Sequence, residues 1–176
     1  HLTGTPSGWT SPKDVILRLC GILTTKGGTN AIVEYFGPGC EAISCTGKAT
    51  ITNMGAELGA TTSIFPFDAR MAAYLRATRR GARPDQAEAN RDLLVADPEV
   101  ARAPQDHYDR IVEIDLSRLE PHLVGPHTPD AARPVSEVAA ECREKGWPTK
   151  ITAALIGSCT NSSYEYICRA ADVARQ

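Results

Sequence analysis

Polar and apolar positions change period along this chain, and the changes mark its elements. After Ser11, Pro12 and Asp14, apolar residues at Val15, Ile16, Leu17 and Leu19 make one face of a helix running to Leu23. Serine is a good N-cap, proline suits the first helical position, and an aspartate in the first turn faces the positive end of the helix dipole. Gly27-Gly28 ends this helix. Ala31 to Phe36 is a short run of strand formers closed by Gly37-Pro38-Gly39. Ser44 predicts the start of a second helix that reaches Leu58, where Gly59 breaks it. Thr61 to Phe65 predicts a strand, and Asp68 caps a third helix with Met71, Ala72 and Leu75 at helical spacing.

Pro84 to Leu94 reads as a solvated amphipathic helix, and Asp109 to Leu116 alternates polar and apolar residues as a half-buried strand does. From Pro121 to Pro134 the pattern disappears: four prolines, one glycine and two histidines predict an extended linker and a domain boundary. A helix from Val135 to Lys145, a buried strand from Ile151 to Ile156 and a helix from Tyr164 to Arg175 follow. Strands alternating with helices predict an α/β fold with largely parallel sheets. The chain divides into an α/β unit over 1–120, a Pro-rich linker over 121–134, and the start of another α/β unit over 135–176.

At 176 residues the chain is long enough to bury a real core, and its apolar fraction of 42% and charged fraction of 23% are those of a globular protein. A net charge of −2, with no basic run, offers no field for nucleic acid or anionic membrane. No apolar stretch approaches the ~18 residues that span a bilayer. The six cysteines are scattered, without a Cys-x-x-Cys pair, and read as reduced thiols.

Cys159 is the most informative of them. It follows the Ile151–Ile156 run, in a polar turn before a helix, where unpaired backbone N–H groups and the helix dipole favour thiolate. Thiolate ligates metal or attacks carbon; the alternative is a buried structural cysteine. Asn53 and Glu57, four apart in the second helix, project from one face, where an amide and a carboxylate can orient a metal-bound water and share protons with it. An exposed surface pair is the alternative, weakened by Gly55, Ala56, Gly59 and Ala60, which suit close backbone approach. Cys45, near a helix start, reads as a small buried residue with a reactive thiol as the alternative, and Cys20, Cys40, Cys142 and Cys168 as packing or surface thiols. Asp106-His107 lies in a polar loop and reads as structural; His122 and His127 belong to the linker.

Leu155 to Ser163 resembles the first cluster-ligand motif of the aconitase family. Gly8 to Val15, Gly27-Gly28-Thr29 with Ala31 to Tyr35, Asn53 to Pro66, Gly125-Pro126 and Thr128-Pro129-Asp130 match the same family in order. The likeness covers nearly all of the chain, is weakest between Arg79 and Gln105, and favours the mitochondrial type. Tyr166, where an acidic residue is usual, and Asn30, where a glycine is usual, depart from it.

The resemblance implies the second domain and the start of the third of an aconitase-like fold. It implies a hydro-lyase that interconverts citrate and isocitrate through cis-aconitate in the citric acid cycle, with a 4Fe–4S cluster as Lewis acid. Cys159 would be one of three cluster thiolates, Asn53 would hydrogen-bond at the cluster, and Glu57 would lie beside the exchanged hydroxyl. The other two cysteines, the substrate arginines and the serine base lie downstream of Gln176 in the family, and an Asp and His set lies upstream of His1. The implied protein is therefore an internal fragment, inactive alone, of a mitochondrial enzyme that is monomeric when complete. Its partner is a tricarboxylate, with no nucleic acid or membrane. Homoaconitase or isopropylmalate isomerase, which share these motifs, and a non-catalytic remnant or binding module are the alternatives.

Overall fold

Local capping signals start four of the helices of the computed structural model, which describes residues 1–176. In chain order the elements are β1 (Leu2–Thr3), α1 (Pro12–Leu23), β2 (Ile32–Glu34), α2 (Cys45–Asn53), β3 (Thr62–Ile64), α3 (Ala69–Ala77), α4 (Arg83–Ala89) and α5 (Pro98–Arg102). There follow β4 (Ile114–Asp115), β5 (His122–Val124), β6 (Ala132–Pro134), α6 (Val135–Lys145), α7 (Ser158–Asn161) and α8 (Tyr164–Ala174). Ser44 and Asp68 cap α2 and α3 as predicted, their side-chain oxygens accepting from the Gly47 and Met71 N–H groups at 3.0 Å. Ser163 caps α8 by accepting from the Tyr166 N–H at 3.4 Å.

The sheets are short and mainly parallel, as the α/β reading requires. β1 pairs with β4, Leu2 opposite Ile114, and β2 pairs with β3, Ile32 opposite Thr62 and Glu34 opposite Ile64. The Leu2 N–H donates to Phe36 O at 2.8 Å, which sets the two parallel pairs side by side. α1 buries Val15, Ile16, Leu19 and Cys20 in one core with Leu2, Ile51, Leu58 and Leu116. Ile16, Ile51 and Leu58 are fully buried, and each such side chain is worth about 1.5–3 kcal/mol relative to exposure. Gly47 lets α2 approach α1, since a Cβ there would meet Pro12 Cγ at 2.5 Å.

Four expectations change. The second helix is α only to Asn53; Met54–Leu58 is a 3-10 turn ended by Gly59 in the left-handed region at φ 74. Gly55 in that turn packs closely against β3, where a Cβ would clash with Ser63 Oγ. The Asp109–Leu116 strand is confined to Ile114–Asp115, because β1 offers only two residues to pair with. Residues 121–134 are a hairpin rather than extended coil: β5 and β6 pair antiparallel, His122 opposite Pro134, and pack on α1. Their three-residue strands are too short to show a period.

The fourth change is the largest. Ile151–Ile156 forms no strand, and Ile151 and Leu155 are 80% and 94% exposed. A strand needs a neighbour to complete its hydrogen-bond ladder, and no strand of this chain lies beside the segment. An apolar run records a tendency to be buried, not the presence of the partner that buries it.

Candidate functional site

The site forms where α7 and the start of α8 lie against the N-terminal body. Gly157 precedes α7, and Ser158 adopts φ 65 to turn the chain into it. This presents Cys159 to solvent, with its Sγ 3.8 Å from Oδ1 of Asn53, the last residue of α2. Two residues 106 positions apart, singled out separately from the sequence, thus meet. The sulfur donates weakly to the amide oxygen here; the amide group, turned over, presents its N–H to a thiolate.

Polar contacts hold the turn in place. Thr50 Oγ1, one turn before Asn53 on α2, donates to Thr160 O at 3.0 Å. Lys13 Nζ of α1 donates to Asn161 Oδ1 at 3.3 Å. Glu165, in the first turn of α8, accepts from Ser44 Oγ at 2.6 Å and from Thr46 Oγ1 at 2.9 Å, both at the start of α2. Arg169 donates to Trp9 O at 2.7 Å and stacks its guanidinium 5.8 Å from the Trp9 ring centroid. Nothing in the local sequence marks Thr50, Glu165 or Arg169 as functional residues. Their partners lie more than 100 residues away, so no local pattern signals them; the Gly8–Val15 motif was the one pointer to Lys13.

Glu57 does not join the pair. Asn53, Thr52 and Thr61–Ser63 line one cavity of about 410 Å³, whereas Glu57 lines a second of about 470 Å³ with Lys13, Asp14, Cys20 and His122. The expectation of one helical face assumed α geometry through Leu58, whereas the backbone past Asn53 is a 3-10 turn and Glu57 lines the other cavity. Lys13 connects the two regions, since it lines the Glu57 cavity and bonds the cysteine turn.

One wall of that cavity is rigid. Asp14 is buried and fully satisfied: Oδ2 accepts from the Ser11 N–H at 2.7 Å and the Ser11 hydroxyl at 2.8 Å, and Oδ1 from the His122 N–H at 2.8 Å. His122 Nδ1 donates to Glu120 O at 2.7 Å, which fixes the ring on that wall. Cys20, beneath Glu57, is pushed up to about 11 by burial, with the Glu57 and Asp130 charges adding to it. Burial also pushes Cys40 up to about 11 and raises Cys45. Cys20 and Cys40 are buried in the core, and Cys45 is half-buried at the start of α2.

No group of three or more His, Cys, Asp and Glu side chains comes together anywhere in the chain in a way that could hold a metal ion. The arrangement at Cys159 is one thiol, one amide and a nearby carboxylate cavity.

The whole chain, residues 1–176, matches the model of the Aconitase family (aconitate hydratase). It is 59% identical over 175 residues to the mitochondrial aconitate hydratase of Schizosaccharomyces pombe, covering 99% of this chain and 21% of that protein. It is 54% identical over 175 residues to a probable mitochondrial aconitate hydratase of Dictyostelium discoideum, covering 99% of this chain and 22% of that protein. A probable mitochondrial aconitate hydratase of Caenorhabditis elegans is 53% identical over 175 residues, with 99% and 22% covered. The chain spans about a fifth of the length of the curated relatives it matches.

Proposed function

The chain belongs to the aconitase family, and we propose that it is the Cys159-bearing part of an aconitate hydratase, which interconverts citrate and isocitrate through cis-aconitate. The observation that carries this reading is the approach of Cys159 Sγ to Asn53 Oδ1 at 3.8 Å in a chain matched along its whole length by that family. In the proposal, residues 1–120 and 135–176 belong to successive α/β domains joined through 121–134. The enzyme is monomeric and takes a tricarboxylate, and the names of its relatives support a mitochondrial location. No helix is long and apolar enough to cross a membrane.

The family implies a 4Fe–4S cluster in the complete protein. This chain alone does not fit one, because such clusters are held by several cysteine thiolates and Cys159 is the single cysteine at the turn. Cys159 is one ligand in the proposal, and the others come from outside these residues. Asn53 fixes the sulfur by hydrogen bonding. Glu57, exposed on its cavity wall, holds or releases a proton on its carboxylate oxygens as the substrate hydroxyl leaves or returns. Lys13 places an ammonium in the same cavity.

The test is hydration of cis-aconitate, followed by its ultraviolet absorbance, by the longer polypeptide that carries this chain after anaerobic loading with iron and sulfide. Turnover lost in Cys159→Ser and reduced about 100-fold or more in Glu57→Gln is the expected result. The 176-residue chain alone shows no turnover. Loaded polypeptide that leaves cis-aconitate unchanged, or full turnover in Cys159→Ser, overturns the reading.

A further inference from the structure

We infer that Glu165 is a positioning residue, which sets the distance between Cys159 and Asn53 by latching α8 to the start of α2. Besides Glu165, the cysteine turn and α8 are tied to the body by Thr50 on Thr160 O, by Lys13 on Asn161 Oδ1 and by Arg169 on Trp9 O. Residues 151–156 before it are exposed and unpaired, and Ser158 and Cys159 are themselves exposed. Glu165 is half-buried, and its Oε2 accepts from two hydroxyls, Ser44 Oγ at 2.6 Å and Thr46 Oγ1 at 2.9 Å.

The location strengthens the contact. Ser44 is the N-cap of α2 and Thr46 lies in its first turn, so the carboxylate also faces the positive end of the helix dipole. Hydrogen bonds to an ionised acceptor are roughly twice as strong as neutral ones. Glu165 thus grips α2 at its N-terminus, and Thr50 bonds Thr160 O near the C-terminal end that carries Asn53. Glu165 and Thr50 are the two attachments to α2, the helix that carries Asn53; with Glu165 released, Lys13 and Arg169 still hold the turn and α8 to other parts of the body, and the spacing of Cys159 from Asn53 rests on the Thr50 contact. Tyr166, next to Glu165, is half-buried while Tyr164 is 87% exposed, so this edge of α8 is the docked one.

The inference rests on the reading that Cys159 and Asn53 form one site, yet its test reads geometry and requires no activity. An Asn53→Cys variant of the full 176-residue chain is treated with dibromobimane, which bridges two thiols only a few ångströms apart, each sulfur displacing one bromide. Fluorescence gives the rate, and peptide mapping confirms the bridge to Cys159. Adding Glu165→Ala slows bridging about tenfold, and Glu165→Gln, which keeps an acceptor oxygen, restores most of the rate. Thr46→Val slows it less and adds nothing to Glu165→Ala. Single alkylation of Cys159 in the chain with Asn53 intact is unchanged throughout, which separates a lost orientation from a lost fold. Bridging at the unmodified rate in both Glu165→Ala and Thr46→Val overturns the inference and leaves the proposed function standing.

Discussion

Gly55→Ala tests the packing beneath the site. A Cβ at position 55 would lie 2.3 Å from Ser63 Oγ and 3.5 Å from Ser63 Cβ, whereas ordinary contact begins at 3.4 Å. Either Ser63 must swing its buried hydroxyl aside or the 3-10 turn and β3 must separate by about 1 Å, and overpacking of this kind costs typically 1–3 kcal/mol. The Gly→Ala exchange also restricts the unfolded chain, which returns about 0.4–1 kcal/mol. The net expectation is a loss of about 1–2 kcal/mol, read as a lower urea midpoint with unchanged slope. The offending atom is specific. Ser63 Oγ is buried without a hydrogen-bond partner, so Ser63→Ala alone is neutral or slightly stabilising. In the double variant only the 3.5 Å Cβ contact remains, and stability returns to within about 0.5 kcal/mol of the original. A Gly55→Ala chain as stable as its parent, or one that Ser63→Ala does not rescue, refutes the reasoning.

Lys48 and Asp68 form a buried ion pair, with side chains 3% and 14% exposed. Lys48→Met strands the carboxylate and costs about 3–5 kcal/mol by urea denaturation, and pairing it with Asp68→Asn recovers part of that loss. Asp14→Ala leaves the Ser11 and His122 N–H groups without their acceptor; it costs about 1–3 kcal/mol and accelerates amide exchange at His122. Cys20 and Cys40 have folded values of about 11 against 9.0 when free. Between these values the unfolded chain has lost protons that the folded chain keeps, so stability is unaffected below pH 9 and falls as the pH rises toward 11. Denaturation midpoints at pH 8 and pH 10.5 read the fall, and Cys20→Ala lessens it.

What was legible in the sequence is what is local. Ser44 and Asp68 announce their helices because a cap needs only the three residues that follow it, and Ser11-Pro12-Lys13-Asp14 does the same for α1. Gly59 marks the end of its turn because only a left-handed residue fits there. The hairpin at 122–134 was hidden because strands of three residues carry no period. Ile151–Ile156 was misread because a strand is defined by a neighbour that a linear pattern does not contain.

The same division runs through the site. Cys159 and Asn53 were identified by their motifs, and the fold supplies what spacing could not, their meeting across 106 residues. Glu57 lines the cavity beside Lys13 and Asp14 and Asn53 lines another, because the helix tightens into a 3-10 turn past Asn53, which helical spacing does not announce. The residues that orient the turn, Glu165 above all, act through partners at the far end of the chain and have no signature of their own.

The most direct test of the central claim, that Cys159 is a cluster ligand of an aconitate hydratase, is its protection from alkylation in the longer polypeptide. Iodoacetamide labelling before and after anaerobic loading with iron and sulfide, quantified by peptide mass spectrometry, reads this one thiol. The account predicts that Cys159 is labelled freely in the unloaded protein and blocked in the loaded one, with chelation of the iron restoring labelling. Equal labelling of Cys159 in both states, in a preparation that has taken up iron and sulfide, contradicts it.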